Sequence, residues 1–329
     1  MLKMVHRMKE WQKLAVPERD LQLIGTLNGG QSFRWHKRTV EPDEEQWIGV
    51  FGSCLWILKQ TNTHLFYKVF EAENSNAGKR IKRSPLYYES LLKSYFRLDV
   101  DIQKLYHKWS ECDPIFKKAA ENFYGIRLLK QDPVENLFSF ICSQNNNINR
   151  ITSMVEKLCQ FYGKEICEID NKIYYAFPTV DKLAEPHVES ELRSANFGYR
   201  AKYITSSAEQ IVKFGGTEWF DELETMDYKQ AKSKLCQLHG IGAKVADCIC
   251  LMSLNHLEAI PVDTHVYKIA IENYLPQLKK NKTVTEKVYN DIGDHFRELF
   301  GNLAGWAHTI LFCADLKKLR TDLNQKITM

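Results

Sequence analysis

The 329-residue chain lacks several features that would narrow its class. No stretch reaches the roughly 18 uncharged apolar residues of a membrane-spanning helix, so no membrane partner is expected. Its nine cysteines include no C-x-x-C pair and are odd in number. That argues against a disulfide framework and against a structural zinc site, and for reduced thiols inside the cell. The opening "MLKMVHRMKEWQKLAV" has no secretory apolar core and is interrupted by Glu10. A basic, amphipathic mitochondrial segment is the remaining targeting reading. No internal repeat or low-complexity tract occurs. No third glycine completes G-x-G-x-x-G, and the spacing is wrong for G-x-x-x-x-G-K-[ST]. What is present is ordinary for a soluble protein, with 44% apolar and 26% charged residues. The net charge of +4 suits a polyanionic partner without establishing one.

The first hundred residues differ from the rest. "GGQSFRWHKR", "WIGVFGSCLWILKQ" and "THLFYKVFEA" are aromatic, β-branched and punctuated by Gly, Pro and Asn. They read as strands of an antiparallel sheet. The basic stretch "AENSNAGKRIKRSP" reads as a loop. From about Leu86 the apolar spacing turns helical, in "LYYESLLKSYF", "DIQKLYHKWSE" and "PIFKKAAENFY". Asp132-Pro133 opens a further helix as cap and first residue. That helix is broken by "QNNN" before "INRITSMVEKLCQFYG". The expectation is an α+β chain, with an N-terminal antiparallel β-sheet domain over 1–110 and a mainly α-helical domain over 111–329.

Within the helical part, "LHGIGAKVADC" carries two glycines one residue apart, Gly240 and Gly242. Helical patterning on both sides, in "DYKQAKSKLCQLH" and "KVADCICLMSL", gives helix–hairpin–helix over about 225–254. The glycines permit a tight turn with positive φ and let a phosphate backbone approach. The second helix offers free N–H groups and a positive dipole end to an anion. Lys244 sits in that first turn among apolar residues. Desolvation and the dipole both disfavour an ammonium there, which favours the amine that a nucleophile needs. Considered alone, a structural or phosphate-contacting lysine is the better reading. Cys248 lies four residues on, on the same helical face, and alone reads as core. In "AIPVDTHVYKIAI", Asp263 follows a segment stiffened by Pro261 and directly precedes a helix. It reads as an N-cap, and backbone donors at a cap favour its carboxylate form. An amine beside a fixed carboxylate suits attack at a sugar carbon that develops positive charge.

The run G-[IV]-G-x-K-V-A-D-C followed by V-D-x-H resembles the helix–hairpin–helix/Gly-Pro-Asp superfamily of DNA glycosylases. Within it the chain is similar to eukaryotic 8-oxoguanine DNA glycosylase/AP lyases. "GGQSFRW", "FICSQNNNINRI", "NFGYRAKYI" and "GWAHTILFCADL" match in order across nearly the whole chain. Only Cys313 follows Asp263, so the iron–sulphur branch with four clustered cysteines does not fit. No metal or cofactor is expected.

The resemblance implies Lys244 as Schiff-base nucleophile and Asp263 as the supporting carboxylate. It implies a base pocket of Gly30, Cys248, Pro261, His308 and Phe312, the base lying between thiol and ring. The Gly30 carbonyl would distinguish the N7–H of the oxidised base from the N7 lone pair of guanine; a strand bulge is its other reading. Phe312 alone would read as core. Asn145, Arg150 and Arg200 would contact the estranged cytosine, and Tyr199 would fill the vacated stack. Gly240, Gly242 and His265 would meet the DNA backbone, with Lys279, Lys280 and Lys282 as auxiliaries or a solvated loop. A monomer acting on double-stranded DNA with oxidised guanine is implied, in the nucleus with a mitochondrial share. One position departs from the pattern: glutamine is expected where this chain has His308. A neutral imidazole carries one donor and one acceptor on opposite sides of the ring, unlike an amide. Its unperturbed pKa of ~6.5 would make base recognition pH-sensitive.

Overall fold

In a computed structural model of the chain, the described residues are 10–40, 44–72, 83–280 and 283–316, with the backbone of 6–7. The start of the basic N-terminal segment, most of the loop at 72–85, and Lys282 lie outside them.

The sheet is antiparallel throughout. Its strands are β1 (His6–Arg7), β2 (Gln12–Leu14), β3 (Trp35–Val40), β4 (Glu44–Phe51), β5 (Cys54–Gln60) and β6 (Leu65–Glu71). The order is β1-β6-β5-β4-β3, and β2 also lies along the β6 edge, so the sheet is five strands wide. Gly52 and Ser53 join β4 to β5 with φ of 56° and 57°. Two positive φ values in a two-residue loop match the sheet's twist. One sheet face carries Trp56, Leu58, Tyr67 and Val69 into the main core. The other face, with Ile48, Val50, Leu55 and Ile57, packs against a second hairpin. That hairpin, β7 (Glu165–Ile169) and β8 (Lys172–Tyr175), sits inside the helical part and was not foreseen. It turns at Asp170 and Asn171, both with positive φ, where Asx side chains tolerate the left-handed region.

One sequence expectation needs correction. "GGQSFRWHKR" is not one strand: β3 begins only at Trp35. Gln31 holds the preceding residues in a loop, donating to the Arg127 carbonyl at 2.9 Å and accepting from the Leu129 amide at 2.9 Å. The Arg127 carbonyl and the Leu129 amide thus take a side chain as partner, not a strand. A short buried helix, Leu23–Asn28, precedes that loop and was also not read from the sequence.

From Pro85 onward the chain is mainly helical. Asp132 caps helix Pro133–Ser143 by accepting from the amides of Val134 and Glu135 at 2.9 and 3.0 Å, with proline at the first position. Helices Pro133–Ser143, Ala243–Met252 and Ala304–Asp315 are buried over most of their length and form the centre. One apolar core runs from the sheet through these helices. The last helix is pressed onto the segment before Asp263. Gly305 donates to the Leu257 carbonyl at 2.9 Å. A Cβ at Gly305 would lie 2.4 Å from both the Ala259 carbonyl and a Leu251 methyl. Gly305→Ala should therefore push this helix outward and destabilise the fold by about 1–3 kcal/mol, the usual cost of overpacking. An unchanged thermal midpoint would mean the helix can slide without loss.

Candidate active site

The hairpin forms as its sequence suggests. Helix Tyr228–Leu235 is capped by Asp227, which accepts from the amides of Lys229 and Gln230 at 3.0 and 3.1 Å. After the turn comes helix Ala243–Met252. Of the two glycines only Gly240 has positive φ, at +84°; Gly242 sits at −100°. A Cβ on Gly240 would fall 2.3 Å from the Tyr203 ring. Gly242 caps the second helix with open space where a Cβ would stand, so its value is access, not conformation.

Lys244 is half-buried in the first turn of that helix, with Nζ 4.7 Å from the centroid of the Phe140 ring. Asp263 caps helix Thr264–Asn273, its Oδ1 accepting from the Val266 amide at 2.9 Å. Capping therefore fixes one carboxylate oxygen and leaves the other for different work. Both side chains line one cavity of about 220 Å³. The hairpin helix contributes Lys244 and Cys248 to its wall, the capped segment Pro261, Asp263 and His265, and the last helix His308 and Phe312. Gly30 closes the fourth side with φ +75°, its missing Cβ pointing at the Phe312 ring 3.5 Å away.

Burial sets the charge of the cavity's other polar groups. Desolvation pushes the Cys248 thiol up to about 11 against the pull of Lys244, so it is a neutral, polarisable face. His308 is fully enclosed, and desolvation lowers its pKa to about 4 although Asp263 favours the cation. The Gly305 carbonyl also favours the cation, but its hydrogen bond goes to Thr309 Oγ1 at 2.7 Å. Neither ring nitrogen of His308 has a partner. The sequence expectation of an imidazole titrating near ~6.5 is thus overturned by burial.

Asn145, Arg150, Tyr199 and Arg200 do not line this cavity, although Asn146, next to Asn145, does. Asn145 is exposed with φ 45°. Arg150 is exposed and donates to the Asn196 carbonyl at 3.1 Å. Tyr199 is 44% exposed, and its hydroxyl donates to the Gln144 carbonyl at 3.2 Å. Arg200 is buried, donating to the carbonyls of Gln144 and Asn145, the latter at 3.0 Å. Gln144 Nε2 in turn donates to the Gly240 carbonyl at 2.7 Å, joining the "QNNN" break to the hairpin turn. His265 is exposed and faces Asp315 at 3.7 Å. Lys279 and Lys280 lie on an exposed 3-10 turn away from the cavity.

Four residues gain a place that sequence reasoning did not give them. Phe140 lies under the Lys244 ammonium, Asn146 lines the cavity, Gln31 pins the Gly30 loop, and Asp247 is buried beneath the hairpin helix. For Asp247 a signal existed, a carboxylate in an otherwise apolar helix.

The buried His308 has a consequence for stability. In the unfolded chain the ring gains its proton below ~6.5, in the folded chain only below about 4. Between these values the unfolded state holds more protons, so acid favours unfolding. The contribution is whole above ~6.5 and lost as pH falls towards 4. Comparing urea unfolding of wild type and His308→Gln at pH 7 and 4.5, the wild type should lose up to roughly 3 kcal/mol more than the variant. Equal losses would place an ordinary, solvated imidazole at 308. Other groups, such as Glu135, raised to about 7 by burial, are common to both proteins and cancel in the difference.

Residues 13–137 match the model of the 8-oxoguanine DNA glycosylase N-terminal domain, and 138–293 that of HhH-GPD superfamily base excision DNA repair proteins. The N-glycosylase/DNA lyase OGG1 of Arabidopsis thaliana is 37% identical over 316 residues, covering 95% of this chain and 82% of that protein. The N-glycosylase/DNA lyase of Saccharomyces cerevisiae is 34% identical, with 92% and 86% covered. The Clostridium acetobutylicum 8-oxoguanine glycosylase/lyase, solved with double-stranded DNA carrying cytosine opposite 8-oxoG, superposes with a TM-score of 0.76. It is 29% identical, with 95% of this chain and 97% of that one covered. With an antiparallel sheet, a helix–hairpin–helix and a lysine and an aspartate in one cavity, the chain belongs to the 8-oxoguanine DNA glycosylase family of base excision repair proteins and is a bifunctional N-glycosylase/DNA lyase.

Proposed function

We propose that this protein flips 8-oxoguanine out of double-stranded DNA where it pairs with cytosine, excises it through a lysine Schiff base, and then nicks the strand. The observation that carries the reading is one cavity bringing together Lys244, Asp263, Cys248, Phe312 and Gly30. The free oxygen of Asp263 stabilises positive charge on the sugar as the bond from C1′ to the base breaks. Lys244 Nζ forms the new bond to C1′, and ring opening with loss of its protons leaves an imine. Removal of a C2′ proton then expels the 3′ phosphate by β-elimination. The base is held between the neutral Cys248 thiol and the Phe312 ring, and the Gly30 carbonyl accepts N7–H, which guanine lacks. Tyr199 occupies the vacated stack, while Asn145, Arg150 and Arg200 face the estranged cytosine. Arg200 is already committed to two backbone carbonyls. Its direct share in reading cytosine is therefore smaller than that of exposed Arg150. All these groups come from one chain, which supports a monomer as the acting unit.

Borohydride trapping tests the reading on duplexes carrying 8-oxoguanine, a formamidopyrimidine or guanine, each opposite the four bases. Wild type should form a covalent adduct fastest with 8-oxoguanine opposite cytosine, and Lys244→Gln should bind but form none, since an amide makes no imine. An adduct persisting in Lys244→Gln would move the nucleophile elsewhere. Faster trapping on the formamidopyrimidine would transfer the substrate to ring-opened purines. DNA binding with no adduct from wild type would leave a non-catalytic DNA-binding protein.

A further inference from the structure

The hairpin helix carries a carboxylate that the chemistry above does not use. Asp247, three residues after Lys244, is fully buried and does not line the cavity. Its Oδ1 accepts from the Tyr228 hydroxyl at 2.7 Å. Its Oδ2 accepts from the Lys232 ammonium at 2.8 Å and from the Tyr289 hydroxyl at 2.5 Å. Tyr228 and Lys232 belong to the first hairpin helix, so those two contacts close the hairpin on itself. Tyr289 comes from outside it, on helix Glu286–Phe300.

The Tyr289 hydroxyl has one proton and two acceptors within reach, Asp247 Oδ2 at 2.5 Å and the Ile260 carbonyl at 3.3 Å. The shorter, charge-assisted bond takes the proton. The hydroxyl oxygen then accepts the Val262 amide at 3.2 Å. Val262 is buried and directly precedes Asp263. One oxygen atom therefore joins the helix that bears Lys244 to the peptide unit leading into Asp263. The cap bond from Asp263 to Val266 fixes the carboxylate relative to its own helix only. The bridge through Tyr289 fixes it relative to the amine.

We propose that Tyr289 is a positioning residue for the Lys244–Asp263 pair, holding Asp247 with its proton and the Val262 amide with its lone pair. The inference rests on the roles of Lys244 and Asp263 given above. Without the hydroxyl, the Val262 N–H is buried with no acceptor, and the backbone turns to find one. The carboxylate moves with it. Bond formation in an oriented pair is steeply sensitive to such shifts, a displacement of ~1 Å costing about a hundredfold.

Tyr289→Phe removes the oxygen and keeps the ring. Lys232→Met is the comparison: it takes a donor from the same carboxylate but leaves the bridge intact. Both are assayed where circular dichroism shows them fully folded, by single-turnover borohydride trapping on an abasic duplex and by binding to a tetrahydrofuran-site duplex. Tyr289→Phe should trap at least about tenfold more slowly, with affinity within about twofold of wild type. Lys232→Met should lose thermal stability and trap at close to the wild-type rate. Wild-type trapping by Tyr289→Phe overturns the inference. So does slowing in both variants in proportion to their loss of melting temperature, because the cluster would then act through general stability. A wild-type protein that traps nothing overturns the reading of Lys244, and this inference falls with it by a separate result.

Discussion

Everything in the site hangs on one helix that is buried along nearly its whole length and open only at its first turn. Residues Val245 to Met252 are enclosed, whereas Gly242 is exposed and Lys244 is half-buried. Burial of so much apolar surface, at about 25 cal/mol per Å², fixes the helix far more firmly than its own hydrogen bonds would. The open end is a matter of backbone shape. Gly240 takes a conformation that costs an L side chain energy, and Tyr203 occupies the volume a Cβ would need. The Lys244 side chain is thereby presented at the edge of a rigid body.

The rigid wall has an electrostatic counterpart. On the proposed function the cavity tells two nearly identical bases apart, a task that gains little from mobile charges, which attract any polar edge. Here desolvation holds the Cys248 thiol and the His308 imidazole in their neutral forms. On that proposal discrimination is left to directed groups, a peptide carbonyl and a ring nitrogen, whose preference changes sign with the presence of a proton on the base. His308 is costly in this setting. Two buried nitrogens without partners lower stability, a cost that a ligand supplying a donor or an acceptor would offset. An amide at this position would offer both on one edge, whereas the imidazole presents one nitrogen to the cavity side at most.

Much of this was legible in the sequence because the informative features are local. Caps, the glycine turn and the helical spacing act over four residues or fewer, so Asp132, Asp263 and the hairpin stand where their neighbours put them. The resemblance supplied the grouping of Gly30, Lys244, Cys248, Asp263, His308 and Phe312, which no spacing rule could give; they line one cavity. What escaped was set over long separations. Gln31 finds its partners about a hundred residues away, so its loop passed for a strand. Arg200 reaches back to the carbonyls of Gln144 and Asn145 and is buried, partners that its motif does not announce. The titration of His308 depends on enclosure by several elements, which a residue type cannot express. The β7–β8 hairpin is short and lies among helices, where propensity is outvoted by its surroundings.

Gln131 ties these separations together. Its backbone amide donates to the Met252 carbonyl at 2.8 Å, at the end of the hairpin helix. Its side-chain amide donates to the Gln31 carbonyl at 2.7 Å, directly after Gly30. One buried residue thus anchors both the far end of the lysine helix and the loop that carries the glycine. Loop and helix end are joined through two hydrogen bonds within a core packed as densely as organic crystals. The Gly30 loop and the Lys244 helix therefore share a support. Gly30 and Lys244, far apart in sequence, thus line one cavity on supports that meet at Gln131.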